Sequence, residues 1–382
     1  MLKNHFVIAL RNLKRFKGFS FINIAGLAVG ITCSITLFLS VLDDLSYDKF
    51  NKLSDQTYRL FVNLSLNGKG SINSKTATPL GHALAMQYPE VVTYARIGYF
   101  GSRRFTYRDK DFRVGKIYAA DSTFFDVFTL PFLEGNQRAA LTRPNTLVVT
   151  QSAARKYFGI ESPVGKALHT EDGRDLLVTG VMKDFPTNSH FSCEFLESMT
   201  SYTESQSQRW LDLRVATYIV LRKDCDAQAF EKKLEKIVSE YVGPQAEVLL
   251  GVPASRLFSQ GNRYNIYLQP LTSIYLRSQR EYGIDLNTEW GDVKSSDIAY
   301  TYVFLAVAIF ILLLAVINFV NLTTARSERR SKEVGIRKTL GATRPLLIRQ
   351  FLIEALLMSA IAVTLAVGMV QRRWQARNEN GT

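Results

Sequence analysis

The stretch Gly159 to Ala167, GIESPVGKA, comes nearest in residue type to a nucleotide site, since glycines beside a lysine can cradle phosphates. Its spacing is wrong for that chemistry. Five residues separate Gly159 from Gly165 where a phosphate loop has four, and Ala167 occupies the place of the magnesium-binding hydroxyl. Metal chemistry would need clustered ligands, but His5, His82, His169 and His190 are far apart and no HExxH occurs. No G-x-S-x-G elbow is present for acyl transfer. Three cysteines cannot make a disulfide scaffold; Cys193 and Cys225 are either a pair or two free thiols, and Cys33 lies in an apolar run. The residue types point to no catalytic, metal or directly bound cofactor site, so the chain is expected not to be an enzyme.

Charge and apolarity carry more information. The chain has 382 residues and a formal charge of +13, which spread over one face would fit nucleic acid. It is not spread. Residues 1–18 hold five bases and no acid, residues 43–298 hold 31 bases and 30 acids, and residues 323–350 hold eight bases and two acids. Between these lie two runs of 24 uncharged residues, 19–42 and 299–322. At about 1.5 Å per residue each spans a hydrocarbon core of roughly 30 Å. A third run, 355–370, has 16 residues and reaches spanning length with 351–354 at the interface. Short basic loops stay cytoplasmic, whereas long loops translocate largely regardless of charge. The N-terminus and 323–350 are therefore expected inside and 43–298 outside, which removes nucleic acid as a partner. The first run ends in VLDDLSYDKF without a small-residue cleavage site, so it reads as an uncleaved anchor.

The elements follow from periodicity. Phe6, Leu10, Leu13 and Phe16 recur at helical spacing opposite Arg11, Lys14 and Arg15, giving an interfacial helix in contact with lipid over residues 1–18. Outside, strands are expected at 57–66, 146–150, 175–181, 215–222 and 264–271, with hairpin turns at Asn67-Gly68 and Asp172-Gly173. Helices are expected at 79–88 with Thr78 as cap, at 151–158 capped by Thr150, and at 227–242 capped by Asp226 and ended by Gly243-Pro244. The last of these forms a βαβ-like unit with its flanking strands, so the region is α+β, in two lobes. In the spans, Gly26 and Gly30 form a G-x-x-x-G that admits a close helix, either span two of the same chain or a second copy. Asn318 and Asn321 share a helical face and can bond a neighbouring helix.

After the second span comes NFVNLTTARSERRSKEVGIRKTLGA, with ordered glycines and apolar residues amid the charge. The positive-inside rule accounts for the bases alone. The segment EVGIRKTLGA reads as a short, tightly turned docking element for a soluble partner, with Gly341 as helix stop and Thr343 starting the next helix.

At these residues the sequence resembles an ABC transporter permease of the MacB/FtsX type, in the large form common in Bacteroidetes. The resemblance extends through FNKLSDQTYRL (50–60), LVVTQSAARKYFG (147–159), SPVGKALHT (162–170) and VTGVMKDFPTNSHF (178–191). It implies an α-helical membrane protein with a large periplasmic α+β domain, a MacB-like porter lobe plus an inserted β-rich lobe. The organisation it implies is a helix at 1–18, spans at 19–42, 299–322 and 351–370, a periplasmic domain at 43–298, a coupling loop at 323–350 and a tail at 371–382. The resemblance implies a permease without its own ATPase, so ATP and Mg²⁺ are expected in a separate cytoplasmic subunit docked on Glu333, Gly335, Ile336, Arg337, Lys338, Leu340, Gly341 and Ala342. A second permease copy, a periplasmic adaptor and an outer-membrane component are further expected partners. The implied function is export or extrusion of peptides, lipoproteins or drugs from the inner membrane. The alternatives are mechanotransmission to a periplasmic hydrolase, or a membrane-anchored sensor of periplasmic ligands. A complete module of this family has four spans; the chain is expected either to be truncated or frame-shifted near residue 370 or to be part of a longer protein.

Overall fold

A computed structural model describes residues 10–13, 15–66, 69–251, 253, 263–286, 293–329, 331–339 and 343–379. The chain divides into two compact units, one of Met1–Asp43 with Ala299–Thr382 and one of Asp44–Ile298. In chain order the elements are α1 (Lys17–Leu45), β1 (Thr57–Leu66), β2 (Lys69–Asn73), β3 (Thr76–Ala77), α2 (Leu80–Gln87), β4 (Val91–Tyr107), β5 (Lys110–Ala120) and α3 (Phe124–Val127). There follow β6 (Phe132–Gly135), β7 (Thr146–Thr150), α4 (Gln151–Phe158), β8 (Ala167–Thr170), β9 (Asp175–Met182), β10 (Phe195–Ser198), β11 (Leu213–Leu221), α5 (Ala227–Ile237) and α6 (Gly243–Leu250). The chain continues with β12 (Arg263–Pro270), α7 (Ile274–Tyr282), α8 (Ile298–Arg329), α9 (Ser331–Thr339) and α10 (Arg344–Glu379).

The larger unit is a sheet in the order β12-β1-β11-β4-β5-β10-β7-β9-β6. Strands β11 and β12 both run antiparallel to β1 and flank it, so β11, α5 and β12 make a βαβ unit split by β1. Its apolar residues include Leu60, Ile219, Phe230, Leu234 and Ile266, which bury the stripe of α5 against the sheet. A second core forms around Phe105, Val149, Tyr157, Phe158 and Phe195, where α4 packs on β7 and β9. The two lobes share strand β4. Its first half pairs with β11 from Val91 to Ile97, and its second half pairs with β8 at Phe105 and Thr106. The register slips on either side of Gly101, whose φ of 74° is open to glycine at no steric cost, and the strand turns from one lobe into the other there. The lobe from β5 to β10 is thus an insertion into a porter-like α+β frame, as expected.

Local chemistry explains most boundaries. Thr150 accepts from the Ala153 N–H, and Asp226 accepts from the Gln228 and Ala229 N–H groups, so both caps are as expected. Two expectations need correction. Helix α2 starts at Leu80 with Pro79 as its cap residue, because the Thr78 carbonyl is turned to the Arg96 guanidinium, 3.0 Å away. The helix from Asp226 does not end at Gly243-Pro244. It widens into a π-turn at Val238–Val242, resumes as α6 and stops at left-handed Gly251. Proline lacks an N–H and crowds the carbonyl four residues back, and the wider turn absorbs both defects. Gln245 then anchors α6, accepting from Trp210 N at 2.8 Å and donating to Gln208 O at 2.7 Å.

The GIESPVGKA stretch is a turn between α4 and β8. Gly159 ends α4 with φ 69°, Gly165 donates to Val178 O, and Lys166 pairs with Glu161 2.5 Å away. His82 is exposed, His169 pairs with Asp175 on the surface, His190 is buried, and His5 lies outside the described residues. Among the described residues no three His, Cys, Asp or Glu side chains form a metal-like group. Cys33, Cys193 and Cys225 are free thiols, and burial pushes the Cys193 thiol up. The Asn67-Gly68 turn lies outside the described residues, as do 1–9 and Lys14 of the leader helix.

Candidate coupling segment and its membrane helices

Among the described residues three helices are long and apolar enough to cross a membrane: Lys17–Leu45, Ile298–Ala325 and Arg344–Arg372. The chain is therefore a membrane protein, and α9 is a nine-residue helix strung between the second and third of these. Most of its sequence, SKEVGIRKT, is poor helix material, since Gly335 and β-branched Val334, Ile336 and Thr339 all lower propensity. Thr339 offsets part of this by donating its hydroxyl to Ile336 O at 2.8 Å. Ile336 is 62% exposed, and a Cβ placed on Gly335 would meet nothing within 4 Å. Lys338 is exposed as well. An apolar side chain, a bare patch of backbone and a cation thus lie open within four residues. A solvated topogenic loop has no use for the first two. Glu333 and Arg337 lie on the same helix, while Leu340, Gly341 and Ala342 lie outside the described residues. The next helix, α10, starts at Arg344, and the carbonyl of Thr343 just before it accepts from Leu346 and Leu347 N–H.

Helices α1 and α8 are held together by small residues. A Cβ on Gly30 would come within 2.4 Å of the Ala315 Cβ, and one on Gly26 within 3.6 Å of Asn318 Nδ2. Ser34 donates across the same contact to Ala308 O at 2.9 Å. The G-x-x-x-G stripe of α1 is therefore filled by α8 of the same chain, the first of its two candidate partners. A second copy would have to use another face. Asn321 is exposed in this unit. So are Phe304, Phe310, Ile317 and Val320 of α8, which lie open to lipid or to another membrane helix.

Sequence reasoning missed a polar layer in these helices. On α10, Leu347, Gln350, Glu354, Met358, Ala362 and Ala366 are buried at helical spacing, and Ala362 packs with Leu27 and Ala28 of α1. Glu354 is 3% exposed, and Ser20 and Asn23 of α1 are buried too. Glu354 also lines a groove of about 460 Å³ with Phe319, Thr323, Thr324 and Phe351. The available signal was a lone carboxylate in an otherwise apolar stretch, which in a membrane is costly unless it faces the helix interior.

Residues 20–237 match the family described as the MacB-like periplasmic core domain, and residues 305–370 match the FtsX-like permease C-terminal family. The chain is 23% identical over 361 residues to the macrolide export ATP-binding/permease protein MacB of Neisseria gonorrhoeae, covering 92% of this chain and 49% of that protein. It is also 23% identical over 258 residues to the uncharacterized ABC transporter permease YvrN of Bacillus subtilis, covering 66% of this chain and 56% of that one. The chain thus spans about half the length of the curated relatives it matches. Among solved structures, a domain of a protein assigned as a permease in Porphyromonas gingivalis superposes with a TM-score of 0.50 at 19% identity, over 58% of this chain and 91% of that domain.

Proposed function

The chain belongs to the family of the MacB-like periplasmic core domain, followed by an FtsX-like permease segment, and from that premise we propose that it is the permease subunit of an ABC transporter in the bacterial inner membrane. A separate cytoplasmic ATPase binds and hydrolyses ATP with Mg²⁺, and this chain supplies no catalytic group. That ATPase seats on α9 and the residues through Ala342. Hydrolysis shifts the membrane helices, and the large domain moves with them to extrude peptides, lipoproteins or drugs without a wide channel. The macrolide-export name of the Neisseria relative favours this over activation of a hydrolase. A second permease copy faces α8 or α10, and an adaptor with an outer-membrane component takes the substrate onward.

The observation that carries the reading is α9: a short helix with an exposed isoleucine and an open glycine, placed between two membrane-length helices. Charge supports the sidedness, with the N-terminus and 323–350 cytoplasmic and 43–298 periplasmic. Single cysteines at Ile160 and Ile336, in a chain with the native cysteines replaced, test this. Ile160 is fully exposed at the turn after α4. An impermeant maleimide admitted to the periplasm should label Ile160→Cys in cells with an intact inner membrane, and Ile336→Cys only after that membrane is opened. Equal labelling of both would show that the two surfaces share a side and would end the coupling mechanism.

A further inference from the structure

The segments joining the large domain to its two membrane helices meet at one place. After α1, Asp48 takes φ 60°, a left-handed conformation that Asp tolerates better than most residues, and it is 1% exposed. Its N–H donates to Asn188 O at 2.9 Å, and its Oδ1 sits 2.8 Å from His190 Nδ1 and 3.3 Å from His190 N. Asn188 Nδ2 donates back to Ser46 Oγ and Ser46 O at 2.9 and 3.2 Å. Before α8, Lys294 N donates to His190 O at 2.7 Å, and Lys294 Nζ to Thr187 O at 2.8 Å. The four residues Thr187–His190 thus hold both connecting segments.

Tyr275 of α7 repeats the arrangement. Its ring stacks on Tyr47 at 3.4 Å, its hydroxyl donates to Asp44 Oδ1 at 3.1 Å, and its carbonyl accepts from Ser296 N at 2.7 Å. The joint is anchored in the sheet, because His190 Nε2 lies 2.9 Å from the Tyr218 hydroxyl on β11 and Phe191 is buried beside Phe124 and Phe128. These polar contacts bridge residues far apart in sequence.

We infer that Thr187–His190 and Tyr275 form a single joint that locks the two connecting segments to each other, so that displacement of either membrane helix reaches the large domain through both. The role in transport rests on the permease reading; the locking does not. A shared anchor makes the opening of one segment the opening of both.

Hydrogen exchange of the full-length chain in lipid nanodiscs tests the joint, read on peptides covering 44–54 and 293–298. Asp48→Asn keeps the left-handed backbone but removes a charged acceptor, and exchange should rise about tenfold in both peptides, with β1 and β11 unchanged. Lys294→Ala, on the solvent side, should speed both by about fivefold. If Asp48→Asn loosens the whole domain, seen as faster exchange in β1 and β11, Lys294→Ala decides. Loosening confined to the segment that carries the substitution would overturn the joint. Absence of any bound ATPase would sink the permease reading and leave the exchange result standing.

Discussion

A chain carrying Leu340→Asp should reach the membrane in normal amount and leave its ATPase subunit behind on purification. The substitution places a carboxylate where a partner's groove would take an apolar side chain, and burying that charge without a counter-ion costs about 3 kcal/mol, roughly a hundredfold in Kd. All eight bases of the 323–350 loop remain, so the orientation signal is kept. Reversing Arg337 and Lys338 to Glu should have the same outcome through like-charge repulsion across the interface. An equal reversal at Arg372 and Arg373, outside the segment, should leave the complex intact. The readout is the ATPase-to-permease ratio after affinity purification. Full retention by Leu340→Asp would reduce the loop to a topogenic signal.

The second large effect is expected in the bend between the lobes. Glu197 on β10 is fully buried, with Arg103 Nη1 at 2.8 Å, Arg174 Nη2 at 3.7 Å and the Tyr202 hydroxyl donating to its other oxygen. Burial, reinforced by the Glu197 charge, pushes the Tyr202 phenol up to about 12, so it stays protonated as a donor. Phe100, next to the Gly101 bend, stacks on Tyr202 at 4.0 Å. Glu197→Ala leaves two guanidinium groups facing each other in a partly dry site, at a cost of about 3–5 kcal/mol. For a domain of this size that is a fall in Tm of about 6–20 °C. The isosteric Glu197→Gln keeps one acceptor oxygen for Arg103 Nη1 and sets an amide NH2 against the Tyr202 hydroxyl, which can turn to accept, so it should lose about half as much. Thermal unfolding of the detergent-solubilised chain measures both. A shift below 2 °C for Glu197→Ala, within the scatter of a surface substitution, would show that the network is not structural.

These two sites differ in how they could be read from sequence. Strand β1 falls on 57–66 and β7 on 146–150 as expected, because their apolar runs are bounded by turn residues on both sides. The two longest apolar runs were legible for the same reason: length and charge are local. The helix after Asp226 is less legible, because Gly243-Pro244 is a stop signal by local chemistry while the widened turn that carries the helix past it also packs Tyr241 on Trp210. The Gly26/Gly30 stripe announced a close helix but not which one, since nothing in G-x-x-x-G encodes Ala315. Least legible were Asp48, His190 and Tyr275. Each sits among other polar residues of its own segment with nothing local to single it out, and the contacts that define them span more than a hundred residues of chain.

The central claim is that this permease receives its ATPase on α9. A photo-crosslinking amino acid at Ile336 tests that contact in living cells, with one at Ile160 as the control. The account predicts an adduct at 336 whose partner is an ABC ATPase by mass spectrometry, absent at 160 and abolished by Leu340→Asp. An adduct at 336 that survives Leu340→Asp, or labelling of lipid and the chain itself with no ATPase at that position, would contradict it.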